Sequence, residues 1–174
     1  MIVIDNKQLT NELLDEINFC RNNPKEFAKT IENHIKYITC NNDKFVYENG
    51  EFKIPLRKGV EQFKNCINIL NNTQPLISLN LIENVKIICP DKLDEQHQFE
   101  TLLEELEVKY PQKNIAFNYD CYFPKPEIIL ILQFVDDNGS KRNNILSRVY
   151  RNIGISVKKA AKWNFFSIYM TFSD

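Results

Sequence analysis

Apolar positions recur at three- and four-residue spacing early in the chain and at every second residue near its end, which predicts helices first and strands last. Leu9, Leu13, Leu14, Ile17 and Cys20 share one face of a helix running through about Asn22, with Asp5 and Gln8 as a loose capping pair. Asn23-Pro24-Lys25-Glu26 then restarts the chain. It supplies a capping asparagine, a proline suited to the first helical position and a glutamate in the first turn. The next helix carries Phe27, Ile31, Ile35 and Ile38 on one side. After a polar loop at residues 40–43, Phe45-x-Tyr47 and Phe52-x-Ile54 flank Asn49-Gly50. That pair tolerates the positive φ of a type I′ turn, so a hairpin is expected over residues 44–54.

Val60, Phe63, Ile67 and Leu70 predict a helix over about 57–71, ended by the run from Asn71 to Pro75. Ser78 or Asn80 is expected to cap a helix holding Leu81, Val85, Ile88 and Cys89 and closed by Pro90; Phe99, Leu102, Leu103 and Leu106 mark another. Ile115-x-Phe117-x-Tyr119 alternates as a strand. Pro126 opens a helix to about Asp136 that is apolar nearly all round and therefore expected to be buried. Residues 152–158 and 164–172 alternate cleanly and predict two antiparallel strands joined through Lys158–Lys162. Helices with interleaved strands predict a layered α/β architecture. A single domain over residues 1–174 is expected, with the hairpin of residues 44–54 as an insertion.

At 174 residues the chain is long enough to bury a real core. A formal charge of −1 provides no field for nucleic acid. The longest apolar run, Ile128 to Leu132, is too short to span a bilayer. Met1–Asp5 lacks a basic region, so neither a signal peptide nor a transit peptide is expected. Cys20, Cys40, Cys66, Cys89 and Cys121 are widely spaced without a C-x-x-C, which reads as reduced intracellular thiols and a cytoplasmic protein. Only four glycines occur, in none of the phosphate-cradling patterns, so no nucleotide cofactor is expected. The 22 asparagines read as the codon bias of an AT-rich genome.

The order of several motifs resembles the CAP superfamily of cysteine-rich secretory, pathogenesis-related-1 and SCP domains, in a divergent protist-type form. Val135-Asp-Asp-Asn-Gly-Ser-Lys-Arg-Asn-Asn-Ile-Leu146 and Asn152-Ile-Gly154-Ile155 are similar to its D-D-G, G-H-R-x-N-I-L and V-G-I-G. Leu13-Leu-Asp-Glu-Ile-Asn18, Arg21-Asn-Asn-Pro24 and Phe27-Ala28 resemble the front of its protist members, and Pro75-Leu76 with Leu79 resembles their P-L-x-x-L. The resemblance implies an α-β-α sandwich with a central, largely antiparallel sheet, and a cleft of two His and two Glu able to hold a divalent metal. Carried over residue by residue, that cleft fails. The family's G-H-R reads Ser140-Lys141-Arg142, and its G-E-N-I reads Gln112-Lys113-Asn114-Ile115. Lys141 and Lys113 would repel a divalent cation, and only His97 is left as a candidate ligand, at a spacing short by several residues. No metal is expected.

Other residues read as structural. His34 borders an apolar helix face, and His97 lies among Glu95, Gln96, Gln98 and Glu100 as on a solvated helix end. Asp136-Asp137-Asn138-Gly139 lacks the remaining ligands of a calcium loop and is expected to bond amides of the following turn. Cys20, Cys66 and Cys89 fall on apolar faces as inert core residues, and Glu104, Glu105 and Glu107 form a solvated face. The expected function is a non-enzymatic, intracellular CAP-like domain that binds other proteins within a large assembly. A protist cytoskeletal machine such as a cilium suits that reading. Its candidate partner-binding residues are Phe45, Tyr47, Phe52, Tyr122, Phe123, Arg148, Tyr150 and Arg151, with no catalytic, cofactor or metal residue. One alternative is a module for a small apolar ligand such as a sterol or fatty acid, held by Ile128, Ile131 and Phe134. A second is a cryptic hydrolase built around His97.

Overall fold

The computed structural model describes residues 6–41, 44–51, 53–82, 115–122, 125–135, 138–159 and 166–174. They form a mixed helix and sheet architecture with two small, mostly antiparallel sheets. The expected helices over residues 83–110, and with them His97, Lys113 and the glutamate run, lie outside the described residues.

Helix α1 (Asn6–Asn22) buries Leu9, Leu13, Ile17 and Cys20, the face that the spacing predicts. The Asn23-Pro24 restart also forms: α2 (Pro24–His34) begins on the proline and buries Phe27, Ala28 and Ile31. Its end corrects the sequence expectation. The helix stops at His34, Ile35–Tyr37 tightens into a 3-10 turn, and Ile38 is already extended as the first residue of β1 (Ile38–Asn41). A β-branched Ile-Thr pair favours an extended backbone, and here it finds a partner strand.

That partner is β2 (Lys44–Glu48), which pairs antiparallel with β1 on one side and with β3 (Lys53–Leu56) on the other. The predicted hairpin is thus part of a three-stranded sheet, and its turn differs from the type I′ expectation. Glu48 pairs with Lys53, so residues 49–52 make the connection. Gly50 supplies a positive φ of 87°, and Asn49 Oδ1 accepts from the Glu51 amide at 3.0 Å. Asn-Gly sets a longer loop here because the asparagine side chain folds back on the backbone. Pro55 is tolerated because β3 is an edge of this sheet. Helix α3 (Val60–Asn72) starts after Gly59, whose φ of 65° breaks the helical path.

The second sheet has the order β4-β6-β7-β5. β5 (Ile115–Tyr122), β6 (Asn152–Lys159) and β7 (Phe166–Ser173) are antiparallel neighbours, with the two C-terminal strands paired as predicted. β4 (Asn80–Leu81) pairs parallel with β6. It corrects the helix expected to be capped at Ser78 or Asn80. Side chains of α1 hold this segment extended: Asn18 Oδ1 accepts from the Leu79 amide at 2.7 Å, Asn18 Nδ2 donates to the Leu79 carbonyl at 3.1 Å, and Asn22 Nδ2 donates to the Leu76 carbonyl at 2.7 Å. With its backbone groups claimed by α1, the segment has no reason to coil.

Helix α4 (Pro126–Phe134) is buried nearly all round, as its composition predicts, and packs against α1. Helix α5 (Ser140–Ile145) follows Gly139 and closes on α4: Arg142 Nη1 donates to the Phe134 carbonyl at 2.8 Å. Asn138 Oδ1 accepts from the Ser140 amide at 3.0 Å, while Asp136 and Asp137, the acids expected to bond this turn, lie outside the described residues. One continuous core joins the apolar faces of α1 to α4 with Ile145, Ile153, Ile168, Met170 and Phe172. Inside it, Asn118 Nδ2 donates to Gln133 Oε1 at 2.8 Å and to the Lys141 carbonyl at 3.0 Å, and Asn144 Nδ2 donates to Asn118 Oδ1 at 2.9 Å. This amide network fixes α4 and α5 over β5, since each buried polar group costs free energy unless paired.

Candidate functional site

The partner-binding candidates divide between core and surface. Tyr47 is 1% exposed and belongs to the core, which corrects its expected place on a binding face. It alternates inward on β2, and its hydroxyl lies within hydrogen-bond reach of His34. Phe45 is half-buried and its ring lies against Gly59, where a Cβ would overlap it. Tyr150 is half-buried: its ring packs on Phe172 with centroids 5.8 Å apart, at the margin of the core. Phe52 and Phe123 lie outside the described residues, and of Tyr122 only the backbone is described, paired with Phe166 at the end of β5. Arg148 and Arg151 are exposed.

The densest group of chemically capable side chains surrounds His34. Its Nδ1 lies 2.6 Å from the Tyr47 hydroxyl and its Nε2 2.6 Å from Glu127 Oε1, so one imidazole joins α2, β2 and the first turn of α4. The arrangement that satisfies all three groups has Nε2–H donating to the carboxylate and Nδ1 accepting the phenol proton. The His34 and Tyr47 rings stack at 5.9 Å, and Tyr37 meets both edge-on. Lys125, two residues before Glu127, pairs with Glu51 from the hairpin loop.

Electrostatics follow from this geometry. The hydrogen bond from His34 holds the Glu127 carboxyl below its ordinary range. Burial, and then the charge of Glu127, push the half-buried Glu16 carboxyl up. Burial pushes the Tyr47 phenol up to about 12. A Glu-His pair is the arrangement of a general base, but here both ring nitrogens are taken up within the protein, and the third member is a buried phenol made less acidic. The cluster fastens three elements together. Among the described residues no group of three His, Cys, Asp or Glu side chains could hold a metal ion, and no helix is long and apolar enough to cross a membrane. Cys66 is a buried thiol that donates to the Phe134 carbonyl at 2.9 Å, and burial raises its pKa.

A second constellation was anticipated from the sequence only in Arg148 and Arg151. Arg21 is fully buried. Its Nε donates to the Ile77 carbonyl at 2.9 Å, and its Nη1 to the carbonyls of Ile145 at 2.5 Å and Ser147 at 3.0 Å. Burial, and then the charge of Arg151, lower its pKa to about 10. The guanidinium clips the 76–82 segment to the loop after α5. The Asn80 amide adds a bond to the Arg151 carbonyl at 2.9 Å, so the two segments run side by side. Each presents a large aliphatic side chain to solvent, Ile77 at 56% exposure and Val149 at 49%. Arg148 and Arg151 flank Val149, and the Arg151 Nη1 turns back onto the carbonyls of Arg148 and Tyr150 at 2.5 and 3.1 Å. One signal for this face was present: Arg21 stands four residues after Ile17, on the stripe that α1 buries. Ile77 and Val149 had none, since each stands outside the apolar faces that the spacing predicts.

Comparison with protein-family models, with curated proteins and with solved structures finds no match to this chain.

Proposed function

We propose that the chain is a non-enzymatic, protein-binding subunit of a larger intracellular assembly, built as a divergent CAP-like α-β-α sandwich. The observation that carries this reading is the exposed pair Ile77 and Val149 on two adjoining, firmly clipped segments, bordered by the exposed arginines Arg148 and Arg151. Binding energy at protein interfaces concentrates in a few apolar and arginine anchors held on rigid backbone. The His34 cluster supports the same reading, because both imidazole nitrogens are bonded within the protein. Free thiols at Cys20, Cys40 and Cys66 fit a reducing compartment such as the cytoplasm of a cytoskeletal or ciliary machine. The residues considered for an apolar ligand, Ile128, Ile131 and Phe134, are spent on the core, where the Phe134 and Phe27 rings lie 5.5 Å apart.

The test is a native pull-down with mass spectrometry, comparing wild type with the double variant Ile77→Asp, Val149→Asp. The variant is expected to lose the co-purifying proteins and keep its thermal transition. Retention of the same proteins would overturn the reading, as would loss of function on replacing His34 or Glu127 in a chain that still folds and still co-purifies.

A further inference from the structure

The face around Ile77 and Val149 also holds positive charge that has no carboxylate partner among the described residues. Arg21 lies fully buried behind it with Nη2 unpartnered, and its acceptors are all neutral carbonyls. Arg151 stands close enough to Arg21 for their charges to oppose each other, and it too spends its Nη1 on neutral carbonyls. Arg148 is exposed, and among the described residues none of the three arginines has a carboxylate partner. Asp174 faces this end from the close of β7, where its charge acts on Tyr150.

We propose that this face docks an acidic segment of a partner protein, with aliphatic side chains of that segment against Ile77 and Val149 and its carboxylates against Arg148 and Arg151. The proposal rests on the protein-binding reading and names its partner's chemistry. Closing an interface over the loop removes water and strengthens each charge pair, and a carboxylate placed there also meets the field of Arg21 beneath. Arginine suits this task because its planar fork matches a carboxylate at two points. The aliphatic pair argues for a protein ligand over a nucleic acid, since neither side chain offers a ring on which a base stacks.

Panning a random dodecapeptide phage library on the immobilised full chain tests this. Enriched peptides are then measured by fluorescence anisotropy against wild type, Arg148→Glu, Arg148→Lys and Val149→Asp, each variant checked for an unchanged thermal transition. Among the described residues the exposed Arg148 side chain makes no hydrogen bond or ion pair, so its replacement is expected to leave the fold intact. Enriched peptides are expected to carry Asp or Glu beside Leu, Ile, Val or Met. Their affinity should fall with added NaCl, fall at least tenfold in Arg148→Glu and in Val149→Asp, and fall less in Arg148→Lys, which keeps the charge and loses the fork. Neutral or basic peptides that still depend on Val149 would overturn the acidic partner and leave the binding reading standing. Peptides indifferent to both Val149→Asp and Arg148→Glu, or no enrichment at all, would overturn both. Displacement of the peptides by a twenty-residue single-stranded oligothymidylate would overturn the proposal in favour of a nucleic acid.

Discussion

Arg21 is held by three backbone carbonyls that have no other described side-chain donor, so its replacement strands acceptors in the interior. Arg21→Met, which keeps the length and loses the donors, is expected to cost about 2–4 kcal/mol in urea denaturation. Glu127 and Glu16 make opposite predictions with pH. Glu127 titrates below its ordinary value, so its pairing with His34 stabilises the fold above the ordinary carboxylate range and is lost as pH falls through the lowered pKa. Glu127→Gln should therefore be less stable than wild type at pH 7, with the gap closing on acidification. Glu16 titrates above its ordinary value, so its ionisation costs stability as pH rises through the raised pKa. Glu16→Gln should be more stable than wild type at pH 7 and lose that advantage below about pH 4. Both carboxylates are partly solvated, which keeps each effect under about 1 kcal/mol. Thermal melts from pH 3 to 8 read both signs.

At the scale of elements, the joint between the three-stranded sheet and α3 depends on Gly59, where a side chain meets both an unfavourable φ and the Phe45 ring. Gly59→Ala should cost about 2–3 kcal/mol, falling to about 1 kcal/mol in a Phe45→Ala background because only the backbone strain remains. A double-mutant cycle by urea denaturation measures the difference. The elements that the sequence predicted well are those whose own residues decide them: α1 and α2 by apolar spacing and an Asn-Pro restart, α4 by its uniform apolarity, β6 and β7 by strict alternation. Those it missed are decided from outside. The exposed residues of β1 carry no alternation and extend because β2 offers a ladder, and β4 is straight because asparagines of α1 hold it.

For the whole molecule, the exposed face of the 76–82 and 147–151 segments is where sequence reading reached least. Arg148 and Arg151 were identified, but the aromatics were expected to share the surface, and Tyr47 turned inward while Tyr150 rests its ring on Phe172. An aromatic in a hairpin or loop has the same signature whether it anchors a partner or its own core; only the tertiary contacts decide. Because Ile77 and Val149 are exposed, Ile77→Asp and Val149→Asp should each change stability by no more than about 0.5 kcal/mol in the isolated protein, read by urea denaturation. The clip that shapes this face also sets a timetable for biosynthesis. Arg21 and the Ser147 carbonyl it bonds are 126 residues apart, so at ordinary translation rates the arginine waits between about 6 and 25 s for that acceptor to be made. During that interval α1 exists with its charge still needing water and its apolar stripe still needing the strands. The nascent chain has reason to keep this helix undocked until its last strands emerge, and a chaperone that holds extended N-terminal segments would raise the yield of the finished fold more than one that acts after release.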